Sequence, residues 1–164
     1  MNDYTEDFIR LVRHPVKFRI FLFLRLPSAF FAGVRVNQIS KTTCEVRVPY
    51  KWFSQNPFKS TYFACLSMAA ELSTGALSMA HIYKRQPAIS MLVVKVESEY
   101  YKKATGVTTF TCNAGNDIRQ IIEEAIETGI SKSIKVESTG KNSQGEIVAA
   151  FWITWSFKAR RKIG

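Results

Sequence analysis

Glu71 is the only Asp or Glu between Glu45 and Glu97, and it stands in a run of apolar and small residues: Ala64, Cys65, Leu66, Met68, Ala69, Ala70, Leu72, Gly75, Ala76. A carboxylate taken out of water without a partner is costly. It must therefore accept hydrogen bonds, pair with a cation, or hold its proton to a higher pH than usual. Two readings follow. In one, Glu71 is structural, capping a neighbouring backbone or pairing with Lys or Arg. In the other it is a catalytic carboxylate that activates water or attacks a carbonyl. Around it lie short hydroxyl side chains, Ser60, Thr61 and Ser67, able to donate to a substrate or simply to bond the helix backbone.

The element that must position Glu71 is a long helix. Asn56 or Ser60 suits its N-cap and Pro57 its first turn, and nothing but Gly75 interrupts it as far as about Tyr83. Apolar residues on every side predict burial within the domain. Before it, Asp3 or Thr5 opens a first helix that stops at His14-Pro15, and a second runs from Pro15 to Leu26-Pro27. Arg10, Arg13, Lys17, Arg19 and Arg25 decorate both, which fits a lid packed on the domain or a basic amphipathic helix resting on an anionic membrane.

Strands are expected at 34–39 and 42–48, with a turn over 37–41. After the long helix, strands are expected at 88–103, with Leu92, Val94 and Val96 on one face, and at 107–113. A short amphipathic helix follows, capped by Asn116 or Asp117 and stopped by Gly129. Strands at 130–139 and 146–157 then close the domain through a turn containing Gly140, Asn142 and Gly145. The order predicts an α+β domain, an antiparallel sheet wrapped around one long central helix. Its divisions are an N-terminal helical lid at 1–30, the wrapped domain at 31–157 and a basic tail at 158–164.

The 164 residues suffice for one core without staples. Cys44, Cys65 and Cys112 are far apart and odd in number, which fits reduced thiols in a cytoplasmic protein better than a disulfide framework. No group of His, Cys, Asp or Glu has metal-ligand spacing, so no metal is expected. The N-terminus has no signal-peptide pattern, and the apolar run 20–24 is far too short to span a bilayer, leaving peripheral membrane contact as the most the chain could make. A net charge of +10 invites an acidic partner: nucleic acid, a membrane surface or a phosphate-rich small molecule. Nucleic acid is disfavoured, because Trp52, Phe53, Tyr100 and Tyr101 read as core aromatics on alternating strands and no nucleic-acid motif is present.

The layout from Phe31 to Phe157, with the wording of the stretch from Asn56 to Gly75, resembles the hotdog-fold acyl-CoA thioesterase superfamily, in a thioesterase-like branch long classed as a domain of unknown function. In that pattern a polar residue precedes the helix, a step of small residues opens it, an acid lies about two turns in and a Gly or Thr follows. Asn56, Tyr62-Phe63-Ala64, Glu71 and Gly75 occupy these positions, with Phe63 and Ala64 standing where glycines are usual. The resemblance implies a hotdog fold and hydrolysis of acyl-CoA thioesters at the interface of a homodimer or a dimer of dimers. No cofactor is implied beyond the coenzyme A of the substrate itself.

On that resemblance Glu71 acts on the thioester, with Asn56 and the backbone of Phe63 as its catalytic companions. Ser60, Thr61, Tyr62, Ala64, Ser67 and Gly75 then form the substrate-binding set. Lys84, Arg85, Lys102, Lys103, Arg160, Arg161 and Lys162 are candidates for the coenzyme A phosphates. A dehydratase, which needs a His beside the helix carboxylate, is disfavoured because His14 and His81 lie elsewhere. A relative that binds acyl-CoA or fatty acyl groups without turnover stays open. Glu71→Gln separates it from a hydrolase.

Overall fold

The computed structural model describes residues 4–160. Six antiparallel strands form one sheet: β1 (Arg35–Ile39), β2 (Cys44–Val48), β3 (Ile89–Tyr100), β4 (Thr108–Cys112), β5 (Lys132–Lys141) and β6 (Ile147–Ala159), in the order β1-β2-β4-β5-β6-β3. The concave face wraps α4 (Phe63–Ile82), the expected central helix. Beside α4 lies the amphipathic α5 (Gly115–Thr128), which seats Ile118, Ile122 and Ala125 in the core and ends at Gly129 in a left-handed turn. Inward residues of β6 alternate as Ala149, Phe151, Ile153, Trp155 and Phe157, so the last strand supplies much of the floor beneath the helices.

Three helices precede the sheet. The first is α1 (Thr5–Arg13), and α2 (Pro15–Arg25) follows with Pro15 in its first turn and the ring of His14 accepting from the Lys17 N–H. A third, α3 (Pro27–Ala32), extends beyond the expected end of the helical segment. Arg13 donates to the Ile39 carbonyl (2.7 Å), fastening α1 to β1, while Phe8, Ile9, Val12, Phe18 and Leu22 bury themselves in the common core.

Several boundaries differ from expectation, each for a local reason. The long helix starts at Phe63, not at Asn56-Pro57, because the Asn56 side chain claims the backbone that would have opened it: its Oδ1 accepts from the N–H groups of Phe58 (2.9 Å) and Ser60 (3.2 Å). Lys59 then turns into the left-handed region (φ 57°), which no helix tolerates. The β1–β2 turn lies at 40–43, closed by the Ser40 N–H on the Thr43 carbonyl and by the Ser40 hydroxyl, so β1 continues to Ile39. Neither Asn116 nor Asp117 caps α5. It begins at Gly115, whose N–H donates to the Thr42 carbonyl (3.0 Å). Gly140 belongs to β5 and not to the following turn. A side chain there would meet the Phe110 ring at 2.5 Å, so the glycine is what lets that ring lie across the strand.

The largest difference concerns β3. Leu92, Val94 and Val96 do not share a face, because a bulge between Val93 and Lys95 switches the alternation. Met91 and Val93 lie opposite the inward Phe157 and Trp155. Past the bulge, Val96, Ser98 and Tyr100 lie opposite Ile153, Phe151 and Ala149 on the same side. Leu92 is therefore left on the outer surface, 67% exposed. The strand is also the free edge of the sheet, with no partner on its far side.

Cys44 and Cys112 are register partners across β2 and β4, both fully buried and both free thiols, as is Cys65 on α4. Burial pushes the Cys44 thiol strongly upward and that of Cys112 to about 11, which keeps both protonated at neutral pH.

Candidate active site

Glu71 lies on the third turn of α4 in a cleft of about 240 Å³, walled by Met68 and Leu72 of its own helix and by Arg25, Leu26, Pro27, Ser28 and Ala29 from the α2–α3 junction. The side chain is half-buried, and no hydrogen bond or ion pair reaches its carboxylate among the described residues. Arg25 lines the same cleft without closing a salt bridge. With burial acting alone, the carboxyl group holds its proton above the ordinary Glu range. Neither a capping contact nor a cation partner for Glu71 is present among the described residues.

One turn further on, Gly75 makes room for the carboxylate. A methyl group at that position would stand 3.1 Å from Glu71 Oε1 and 3.3 Å from the Trp155 indole. Trp155 is held in turn by its Nε1, which donates to Thr74 Oγ1 (2.9 Å), and the Thr74 hydroxyl donates to the Glu71 carbonyl (3.0 Å). The acid thus sits between an indole, a helix face and a short helical roof. Alternation along β6 points Trp155 inward. The roof residues gave no sequence signal, because their position depends on the bend between α2 and α3.

The other expected residues gather elsewhere. Asn56, Ser60, Thr61, Tyr62 and Phe63 line a broad open depression of about 610 Å³ with Tyr100, Tyr101, Lys102, Lys103 and Ala104. No residue lines both cavities. Phe63 and Glu71 are eight residues apart, roughly 12 Å along the axis at 1.5 Å per residue, so one chain does not bring the acid to the helix start. Ser67 lies midway, half-buried and on the Phe63–Glu71 side of the helix by its spacing of four.

At that start the N–H groups of Phe63 and Ala64 have no acceptor among the described residues, and Tyr62 provides no side-chain cap. Free N–H groups at the positive end of a 20-residue helix favour a negatively charged oxygen. The loop beneath them is rigidly tied. Ser60 Oγ donates to Asn56 Oδ1 (3.2 Å), Thr61 donates to the Ala104 carbonyl through both N–H (2.7 Å) and Oγ1 (3.1 Å), and the Tyr62 N–H donates to Ser54. The Ser60 and Thr61 hydroxyls are thus committed to holding the loop. Phe63 is 56% exposed, its ring edge-on to Tyr62 at 4.9 Å.

The basic candidates divide as well. Lys102 pairs with Glu146 (2.6 Å) and Arg85 with Glu123, whereas Lys103 reaches only the Phe58 carbonyl (3.4 Å), within the depression. Arg161 and Lys162 lie outside the described residues. Trp52, Phe53, Tyr100 and Tyr101 are exposed and not core residues, since the first two form a one-turn 3-10 helix at the surface and the others close the edge strand. His81 is buried, its Nε2 2.9 Å from the Lys41 carbonyl, away from Glu71.

An antiparallel sheet wrapped around one long central helix is the hotdog fold. Within that class the chain belongs to the family described as a domain of unknown function (DUF4442), which matches residues 17–157. Among solved structures it is similar to a Pseudomonas aeruginosa protein of unknown function described as a probable thioesterase, with TM-score 0.72 and 22% identity over 95% of this chain and 96% of that one. It is also similar to a thioesterase of Haemophilus influenzae, with TM-score 0.63 and 9% identity over 90% and 93% of the two chains. A Chlorobaculum tepidum protein of unknown function gives TM-score 0.72 and 14% identity over 95% and 94%. At these identities the likeness is one of fold. No curated protein matches the chain.

Proposed function

We propose that the protein hydrolyses acyl-CoA thioesters in the cytoplasm, as a homodimer with two composite sites. The observation that carries this reading is Glu71: an acid without a partner, its proton affinity raised by burial, facing a cleft and given room by Gly75. Such a group takes a proton from water as the water oxygen attacks the thioester carbonyl carbon. The carbonyl oxygen becomes negative and is held by the unpaired Phe63 and Ala64 N–H groups of the second copy's helix, each donor contributing about 3 to 4 kcal/mol. When the tetrahedral intermediate collapses, the C–S bond breaks and the coenzyme A sulfur leaves, taking the proton from Glu71.

The separate cavities support a two-chain arrangement, in which the acid of one copy and the donors of the other meet on one carbonyl. Asn56 stiffens the loop under the donors, and one amide hydrogen remains for substrate beside its long contact to the Thr61 carbonyl (3.4 Å). Tyr62, Ser67 and Lys103 line the path of the substrate.

A second reading is favoured by Phe63, whose exposed ring crowds the helix start where small residues would admit a thioester. There the protein binds acyl-CoA without turning it over. The test is thiol release from a panel of acyl-CoA substrates, with acyl-CoA affinity measured in parallel. A hydrolase loses about 100-fold or more of its turnover in Glu71→Gln while binding persists. No thiol release from any acyl-CoA, with binding intact in both forms, leaves the binder.

A further inference from the structure

Between Asp7 and Glu45 the chain carries seven Lys or Arg and no Asp or Glu. Within that interval α2 turns Val16, Ile20, Phe23 and Leu24 to solvent at spacings of three and four, with Val16 59% and Leu24 67% exposed. The apolar surface does not end with the helix. Phe23 meets Phe31 of α3 (6.2 Å between ring centres), Phe31 stacks on Phe53 (5.7 Å), and Phe53 meets Trp52 (4.9 Å), itself 74% exposed. Lys17, Arg25 and Lys51 stand exposed on these same elements with no carboxylate partner among the described residues. By contrast Arg13 and Arg19 turn inward to the backbone carbonyls of Ile39 and Val34.

We propose that α2, α3 and the Trp52–Phe53 turn form a docking face for an anionic lipid bilayer. A continuous aliphatic and aromatic surface with unpaired cations beside it is what an interfacial element presents to lipid, the apolar residues entering the headgroup boundary and the cations remaining among the phosphates. The exposed indole fits the same depth. The charge argues against a second copy as the occupant. Face to face, two copies would bring Lys17, Arg25 and Lys51 together with no acid on α2 or α3 to offset them. The face also borders the roof of the Glu71 cleft, since Arg25 and Leu26 belong to both. The docking itself does not rest on what Glu71 does.

The experiment is sedimentation of the full-length protein with vesicles of phosphatidylcholine alone, and with about one-third phosphatidylserine, at physiological salt. The wild type is expected to pellet with the anionic vesicles, less so as salt rises. The double variant Ile20→Asp/Leu24→Asp should lose more than about tenfold in partitioning, since both side chains are exposed in the fold and would leave the hydrocarbon boundary. Lys17→Gln/Lys51→Gln should lose about fivefold per charge. Circular dichroism checks that each variant is folded, and light scattering follows its mass. Absence of binding by the wild type overturns the proposal, as does undiminished binding by both variants or equal binding to neutral vesicles. So does a change of oligomeric state in Ile20→Asp/Leu24→Asp, which would make this face a contact between proteins.

Discussion

Glu71 has a raised proton affinity and no partner, and the sign of its contribution to stability follows. The folded protein keeps the Glu71 proton at pH values where the unfolded chain, with an ordinary Glu near 4.3, has released it. The stabilisation from this group is therefore complete below about pH 4.3 and is lost as pH rises through the higher folded value. Glu71→Gln cannot lose that proton. Its denaturation midpoint should fall less than that of the wild type between about pH 4 and pH 7, and should equal or exceed it at neutrality. Catalysis shows the opposite face of the same property. The base form is needed, so turnover should rise with pH through a limb above the ordinary carboxylate value, measured on any acyl-CoA that proves to be a substrate. Gly75→Ala presses on both Glu71 Oε1 and Trp155. It should reduce turnover more than it lowers the unfolding midpoint, because the carboxylate can shift by a few tenths of an ångström while the indole stays anchored to Thr74. The acid itself could be read from sequence, since a single carboxylate in apolar surroundings is visible without coordinates. The walls of its cleft could not, because Arg25 to Ala29 meet Met68 and Glu71 only through tertiary packing.

At the scale of elements, α5 and the closing strands were legible because periodicity and burial agree along them, and the body of α4 because a long run without breakers is apolar on every side. The start of α4 was not. Asn56-Pro57 carries the cap and first-turn residues of a helix, but Asn56 uses its oxygen to fold the chain back toward Ser60, and local side-chain bonding outweighed helix signals for six residues. The bulge in β3 was equally hidden, since Leu92, Val94 and Val96 alternate faultlessly until one extra residue reverses the faces. Gly140 shows the same limit. Its composition suggests a turn, whereas its role is to lie beneath the Phe110 ring. Gly140→Ala should lower stability by about 1 to 3 kcal/mol, seen as an earlier denaturant midpoint at unchanged slope.

The whole molecule ends on one side in a bare 12-residue strand, its free edge bordered by exposed Val96, Tyr100 and Leu92. Edge strands of this length invite pairing. Light scattering should give the mass of two chains at micromolar concentration. Val96→Lys, at a position already exposed in the single chain, should give the mass of one and abolish thioester cleavage together with it. A wild-type monomer that still cleaves would contradict the composite site. The buried thiols offer a different measure of the assembled protein. Cys44 and Cys112 face each other at one end of the β2–β4 ladder, closed to water and held as thiols by burial. An alkylating reagent can reach them only when the core around them opens, so the rate at which native protein takes up label, under conditions where reclosing is fast, reports how often that opening occurs. The molecule thus carries its own clock for opening, readable by mass spectrometry without denaturant.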